Sequence, residues 1–205
     1  MRELLVTTFL TLDGVMQAPG GPGEDDSRGF AWGGWSVPFW DQGMMETMGE
    51  FTSRPFAMVL GRKTYDIMAA HWPHASEEEG ASVFNDATKY VASRERLENL
   101  TWQNSQQLEG DVVEALWELK QHDGPELQVH GSADLLQTLL RVEGLVDTLR
   151  LWIFPVVVGG GKRLFENGVL PVGLTLVDHQ VSGTGVMMTT YKPSGPVPIG
   201  SFELE

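Results

Sequence analysis

The sequence predicts an α/β fold: a mixed, mostly parallel central sheet flanked by helices, with its last strand or strands running antiparallel. Three observations carry that expectation. Apolar, β-branched runs alternate with stretches of helical period through most of the chain, the pattern of strand–helix–strand units. The run FAMVL (residues 56–60) is apolar throughout instead of alternating, as a strand covered on both faces requires. The C-terminal part is rich in strands, with LTLVDHQV (174–181) and GVMMTTY (185–191) set to form a hairpin across Ser182, Gly183 and Thr184.

The elements follow in order. LLVTTFL (4–10) is β-branched and aromatic and stops at the turn dipeptide Asp13-Gly14. Residues 17–37 are dense in Gly, Pro and Trp, too irregular for an element and too aromatic for a disordered linker, and long loops of that kind usually carry function. FWDQGMMETMGEF (39–51) sets Trp40, Met44, Met48 and Phe51 at helical spacing. DVVEALWELKQHDG (111–124) repeats that period and stops at Gly124-Pro125. ELQVHG (126–131) is a strand, SADLLQTLLRVEG (132–144) a helix with Ser132 as N-cap, and TLRLWIF (148–154) another strand. With 205 residues the expectation is one domain over residues 1–192, followed by a Pro/Gly-rich tail over 193–205.

Composition narrows the function. A formal net charge of −14 repels nucleic acid and anionic membranes over most of the surface, so neither is an expected partner. The chain has no cysteine, which excludes disulfides, thiolate metal sites and a cysteine nucleophile. No stretch approaches the roughly 18 apolar residues of a membrane span. The N-terminal run is broken by Thr7, Thr8 and Thr11 and reads as a strand, so a cytoplasmic location is expected. His71 and His74 flank Trp-Pro, which breaks the helix a metal pair would need, and no metal site is expected.

Chemistry concentrates where strands hand over to helices. In MVLGRKTYD (58–66), Gly61, Arg62, Lys63 and Thr64 bring free backbone N–H groups, a helix N-terminus and two cations to one point. That suits a phosphate; a turn made by Gly61, a cap at Thr64 and two solvated cations explain the same residues. KYVASRE (89–95) ends a strand at Ser93 and Arg94, and QVHGSADLL (128–136) places Gly131, Ser132 and Ala133 at a third junction. Three such junctions point to an extended, multi-phosphate ligand along the carboxyl edge of the sheet. Trp32, Trp35, Phe39 and Trp40 are either a stacking floor for a planar heterocycle or a cover for a sheet edge and subunit contact.

TLDG (11–14), MVLGRKTYD, YVASRE, VHGSADLLQTLL and LWIFPVVVGGGKRLF, in this order and spacing, resemble the dihydrofolate reductase-like fold. The resemblance is closest to the reductase domain of the bifunctional riboflavin-biosynthesis deaminase/reductase and its stand-alone relatives. It implies an NADPH-dependent reductase. Arg62, Lys63 and Thr64 would hold the adenosine-side phosphates, Ser93 and Arg94 would flank the ribose, and the Gly131–Ser132–Ala133 junction would receive the pyrophosphate. Strand 1 and the following turn, from Thr8 to Met16, would line the nicotinamide. The substrate-side candidates are Asp13 of the TLDG turn, Trp35 and Trp40 of the aromatic loop, and Pro155, Gly159 and Gly160 of PVVVGGGKRLF, which the resemblance places at an active-site rim, although tight turns use the same glycines.

Two departures matter. Asp134 stands where dihydrofolate reductases carry a basic residue, and it would compete with a phosphate. The pterin-binding acid of those enzymes has no clean counterpart; Glu46 is nearest by spacing and Asp41 lies farther off, and these two are the candidate proton donors. The expectation is a homodimeric reductase passing hydride from NADPH to a C=N or C=O bond of a small heterocycle or sugar-derived substrate. The alternative is a non-catalytic nucleotide- or ligand-binding dimer that keeps the fold.

Overall fold

The computed structural model describes residues 1–202. Eight strands form one sheet in the order β4-β3-β2-β5-β1-β6-β8-β7. The strands are β1 (Leu4–Thr11), β2 (Phe56–Gly61), β3 (Thr88–Ala92), β4 (Ser105–Gln107), β5 (Glu126–His130), β6 (Thr148–Phe154), β7 (Gly173–Val181) and β8 (Met187–Gly195). The pairings among β1 to β6 are parallel, whereas β8 runs antiparallel to both β6 and β7. This is the mixed sheet the sequence predicts.

The helices are α1 (Gln42–Thr52), α2 (Arg62–His71), α3 (Ala81–Asp86), α4 (Val112–Gln121) and α5 (Ala133–Leu139). Alternation along each strand sends even residues of β1 (Leu4, Val6, Leu10) into one core with Leu116 of α4 and Leu135, Leu136 and Leu139 of α5. The other face has two clusters. Phe56, Met58 and Leu60 pack with Tyr65 of α2 and Phe84 of α3, while Trp152, Phe154 and Met188 pack with Met44 of α1 and Trp35 of the long loop. β2 is buried at every residue from Phe56 to Leu60, which is why its sequence shows no alternation.

Side chains set the helix starts. Asp41 caps α1 by accepting from the Met44 N–H at 2.9 Å, and Asp111 caps α4 by accepting from Val113 and Glu114. Ser132 precedes α5 but does not cap it; its φ of 61° is left-handed, and its hydroxyl is spent elsewhere. The expected tail boundary also moves. β8 continues to Gly195, paired with Gly173, so three residues assigned to the tail are sheet; the last part of that tail, 203–205, lies outside the described residues. No helix among the described residues is long and apolar enough to cross a membrane.

Candidate functional site

A cavity of about 1210 Å³ opens at the C-terminal ends of β1, β2, β3 and β5. It is lined by every residue expected to hold the cofactor: Thr8, Met16, Gly61, Arg62, Lys63, Thr64, Ser93, Arg94, Gly131, Ser132 and Ala133. Parallel strands joined by crossover connections bring these separated segments to one edge.

One half of the cavity is polar. Gly61 precedes α2 and can offer no side-chain cap, so the first-turn N–H groups of the helix stay open. The β2 and β5 ends are tied together. The Gly61 N–H donates to Ser132 Oγ at 2.9 Å, Ser132 Oγ donates to the His130 carbonyl at 2.8 Å, and the Ser132 N–H donates to Thr64 Oγ1 at 3.0 Å. These bonds hold Ser132 and the preceding Gly131 in successive left-handed conformations, with φ of 61° and 51°. The Thr64 and Ser132 hydroxyls therefore brace the cradle itself.

The cations differ in availability. Arg62 Nε donates to Asp66 at 2.7 Å in an exposed pair one helical turn apart. Lys63 Nζ lies 2.5 Å from Asp25 Oδ1. Arg94 has no ion-pair partner among the described residues; with Arg28, Arg141 and Asp134 it also lines a smaller cleft of about 410 Å³. Asp134 is exposed and lies 3.8 Å from Lys162.

Asp25 was not singled out by the sequence, where it sits in the long Gly-, Pro- and Trp-dense loop. Its carboxylate is only 9% exposed and joins three segments. Oδ1 accepts from Lys63 Nζ and from Ser27 Oγ, and Oδ2 accepts from Lys162 Nζ at 3.0 Å. Burial alone would raise the Asp25 pKa, but the bonds from Lys63, Ser27 and Lys162 outweigh it and hold the carboxyl well below the usual range. Buried Gln17 completes the junction, donating to the Asp25 carbonyl and accepting from the Lys162 N–H, both at 3.0 Å. The first part of the Gly-rich loop is thus clamped over the cavity. Nearby Glu24 is pushed up by burial, against the lowering effect of hydrogen bonds from the Gly20 and Gly21 N–H groups.

The other half is apolar: Phe9, Trp40, Met45, Met48, Met68, Trp72 and Phe84, with His130 at the end of β5. Of the residues expected on the substrate side, Trp40 lines this cavity. Asp13, Trp35, Pro155, Gly159 and Gly160 lie outside the cavity lining. Asp13 instead staples two loops, accepting from Thr11 Oγ1 at 2.6 Å and from the Gly159 N–H at 2.9 Å. Trp35 is buried in the core, and Pro155, Gly159 and Gly160 are exposed. Neither expected proton donor lines the cavity: Asp41 is occupied as the α1 cap, and Glu46 is exposed and accepts from Gln42 at 2.8 Å.

Comparison with known proteins agrees with this architecture. A Bacillus subtilis (strain 168) relative, the uncharacterized protein YyaP, is 27% identical over 198 residues, covering 95% of this chain and 96% of the relative. A crystal structure of a Shewanella sp. PV-4 protein named for riboflavin biosynthesis superposes with a TM-score of 0.65 at 18% identity, over 95% of this chain and 99% of that one. A pyrimidine reductase-like protein from Corynebacterium diphtheriae gives 0.59 at 14% identity, over 94% and 92% of the two chains. Dihydrofolate reductase from Enterococcus faecalis, complexed with NADP(H), gives 0.57 at 14% identity, over 93% and 96%. These likenesses establish the dihydrofolate reductase-like fold. Residues 2–188 match the RibD C-terminal domain, and the chain belongs to that family.

Proposed function

We propose that the protein is a cytoplasmic NADPH-dependent reductase acting on a C=N or C=O bond of a small planar heterocycle or sugar-derived substrate. The observation that carries this reading is the two-part cavity. A polar half with open α2 N–H groups and Arg94, which has no ion-pair partner among the described residues, suits a dinucleotide's phosphates, and it is continuous with an apolar half suited to flat rings. The family and the NADP(H) complex of the Enterococcus faecalis enzyme support it.

The residues present fit that cofactor. Arg62, Arg94 and the first turn of α2 would hold its phosphates, and Thr8 and Met16 would lie along its nicotinamide end. Bound NADPH supplies the hydride; the protein supplies placement and electrostatics. Trp40, Met48 and Trp72 exclude water from the reacting face, and the clamp at Asp25 holds the covering loop in place. Glu24, which lines the cavity and whose pKa burial raises, is the carboxyl we assign as proton source at the cavity edge.

Titration with NADPH and NADH, followed by tryptophan quenching, tests the reading; absence of quenching by either cofactor would remove it. Arg94→Ala is expected to weaken NADPH binding by about 1.5 to 3 kcal/mol, the range for a lost charge-assisted hydrogen bond. NADH affinity should stay within about twofold. Arg62→Ala should have the smaller effect because its guanidinium, 44% exposed, already pairs with Asp66. Equal losses for both cofactors on Arg94→Ala would mean that Arg94 does not read the extra phosphate.

We also propose a homodimer through the C-terminal sheet. β7 is an edge strand that leaves Leu174, Leu176, Val177 and Val181 between 38% and 65% exposed, an apolar strip that a second copy would cover. Light scattering should give twice the chain mass, and Leu176→Glu with Val177→Lys should halve it. A wild-type protein of single-chain mass across the micromolar range would refute the dimer.

A further inference from the structure

Glu126, Gln128 and His130 occupy alternate positions of β5 and project from the same face of the sheet. Gln128 is 1% exposed, so its amide must find its partners within the protein. Its Nε2 donates to Glu126 Oε1 at 2.5 Å. A carboxylate only accepts, which fixes the amide's orientation and turns its Oε1 toward His130 Nε2, 3.0 Å away. Farther back, Arg150 Nη1 lies 3.6 Å from Glu126 Oε1, and its guanidinium sits 4.5 Å from the Phe51 ring centroid. An ordered chain therefore runs from Arg150 through Glu126 and Gln128 to His130.

The chain dictates the state of the imidazole. An amide oxygen only accepts, so His130 Nε2 carries the hydrogen. Burial, reinforced by the charge of Arg150, holds the His130 pKa at about 4, so the ring is neutral at pH 7 and Nδ1 keeps a bare lone pair. Nδ1 makes no hydrogen bond among the described residues, and it is not one of the fully buried atoms lacking a partner. His130 is half-buried and lines the cavity, so Nδ1 opens into it. The rings of Phe56 and Phe84 stand 6.1 and 6.2 Å from the imidazole. His71 and Asp66 of α2 and Glu79 also line the cavity.

We propose that His130 is a specificity-determining residue, locked as the Nε2–H tautomer so that Nδ1 accepts a hydrogen bond from a ring N–H or hydroxyl of a planar substrate. The assignment rests on the apolar half of the cavity being the substrate site. It selects lactam-type heterocycles over N-alkylated ones, which have no hydrogen to give, and over carboxylates, whose lone pairs would face the Nδ1 lone pair. Gln128 is the positioning residue.

The tautomer can be read without cofactor or turnover, in long-range 1H–15N spectra of protein labelled with 15N-histidine at pH 7. The His130 signals are identified by their loss in His130→Asn, or by their selective shift in Gln128→Leu should that variant not fold. The expected pattern is a pyrrole-type Nε2 and a pyridine-type Nδ1, with Gln128→Leu giving a tautomer mixture. Quinazolin-4(3H)-one should shift Nδ1, and its 3-methyl derivative should bind about tenfold more weakly, the consequence of one lost hydrogen bond. A reversed or cationic ring, an unmoved Nδ1, absence of lactam binding or equal binding of the two probes would each overturn the proposal. Failure of NADPH to bind would instead strike the reductase reading, since the tautomer measurement does not involve the cofactor.

Discussion

Asp25→Ala is expected to lower folding stability by about 3 to 5 kcal/mol, the range for stripping one partner from a buried ion pair. Both carboxylate oxygens are in use, and Lys162, only 11% exposed, would keep no carboxylate among the described residues closer than Asp134 at 3.8 Å. The Lys63 arm contributes least, since that side chain is 50% exposed and water replaces part of the interaction. Asp25→Asn keeps the shape and loses the charge, so it should fall between wild type and alanine. Acid should mimic the substitution. The folded-state pKa of Asp25 lies below that of the unfolded chain, near 3.9. Its contribution is therefore full above about pH 4 and is lost as the pH falls through the folded value. Urea unfolding at pH 7 and pH 2 measures both effects, and limited proteolysis at the exposed Pro22–Gly23 segment reports release of the loop. An unchanged urea midpoint for Asp25→Ala at pH 7 would show that the clamp holds nothing.

The contrast between what the sequence discloses and what it conceals follows from contact range. The residues expected to hold the cofactor lie at strand ends, and the rules that place ligands at the carboxyl edge of a parallel sheet need only local signals: an apolar run, a Gly, a helical period. Hence Gly61 to Thr64, Ser93, Arg94 and Gly131 to Ala133, far apart in the chain, line one cavity. The Asp25 clamp joins residues 38 and 137 positions apart, and no local pattern encodes such a pairing. His130 was legible as a strand histidine, but its tautomer depends on a glutamine two residues away pointing to the same side of the strand. Asp13 shows the converse: a family-like TLDG turn marks the right place in the fold, yet the carboxylate binds the Gly159 N–H and not the cavity. The short elements α3 and β4 were not visible because six and three residues are too few to display a period.

The tryptophan loop is where sequence logic and packing part, and Trp35→Ala measures the difference. A Gly-rich loop was expected to need a ligand or a second subunit to cover its aromatic side chains. Trp35 finds a third solution in its own core. It is 7% exposed, stands edge-to-face on Phe154 with centroids 5.3 Å apart, and donates from Nε1 to the Gln17 carbonyl at 2.7 Å. Truncation would open a large void and leave that carbonyl without its donor, so the expected loss is about 3 to 5 kcal/mol, as for other buried aromatics cut to alanine. Trp35→Phe, which keeps the ring contact and loses the hydrogen bond, should cost less than half as much. The damage should appear as a lower urea midpoint while the mass by light scattering stays that of wild type. Trp40 provides the control: it lines the cavity, packing against Phe9 at 5.5 Å and Trp152 at 5.6 Å, so its removal should weaken binding of a planar ligand as well as stability. If Trp35→Ala instead left the midpoint unchanged and reduced only ligand affinity, Trp35 would belong to the substrate floor and the cluster around Phe154 would be misassigned.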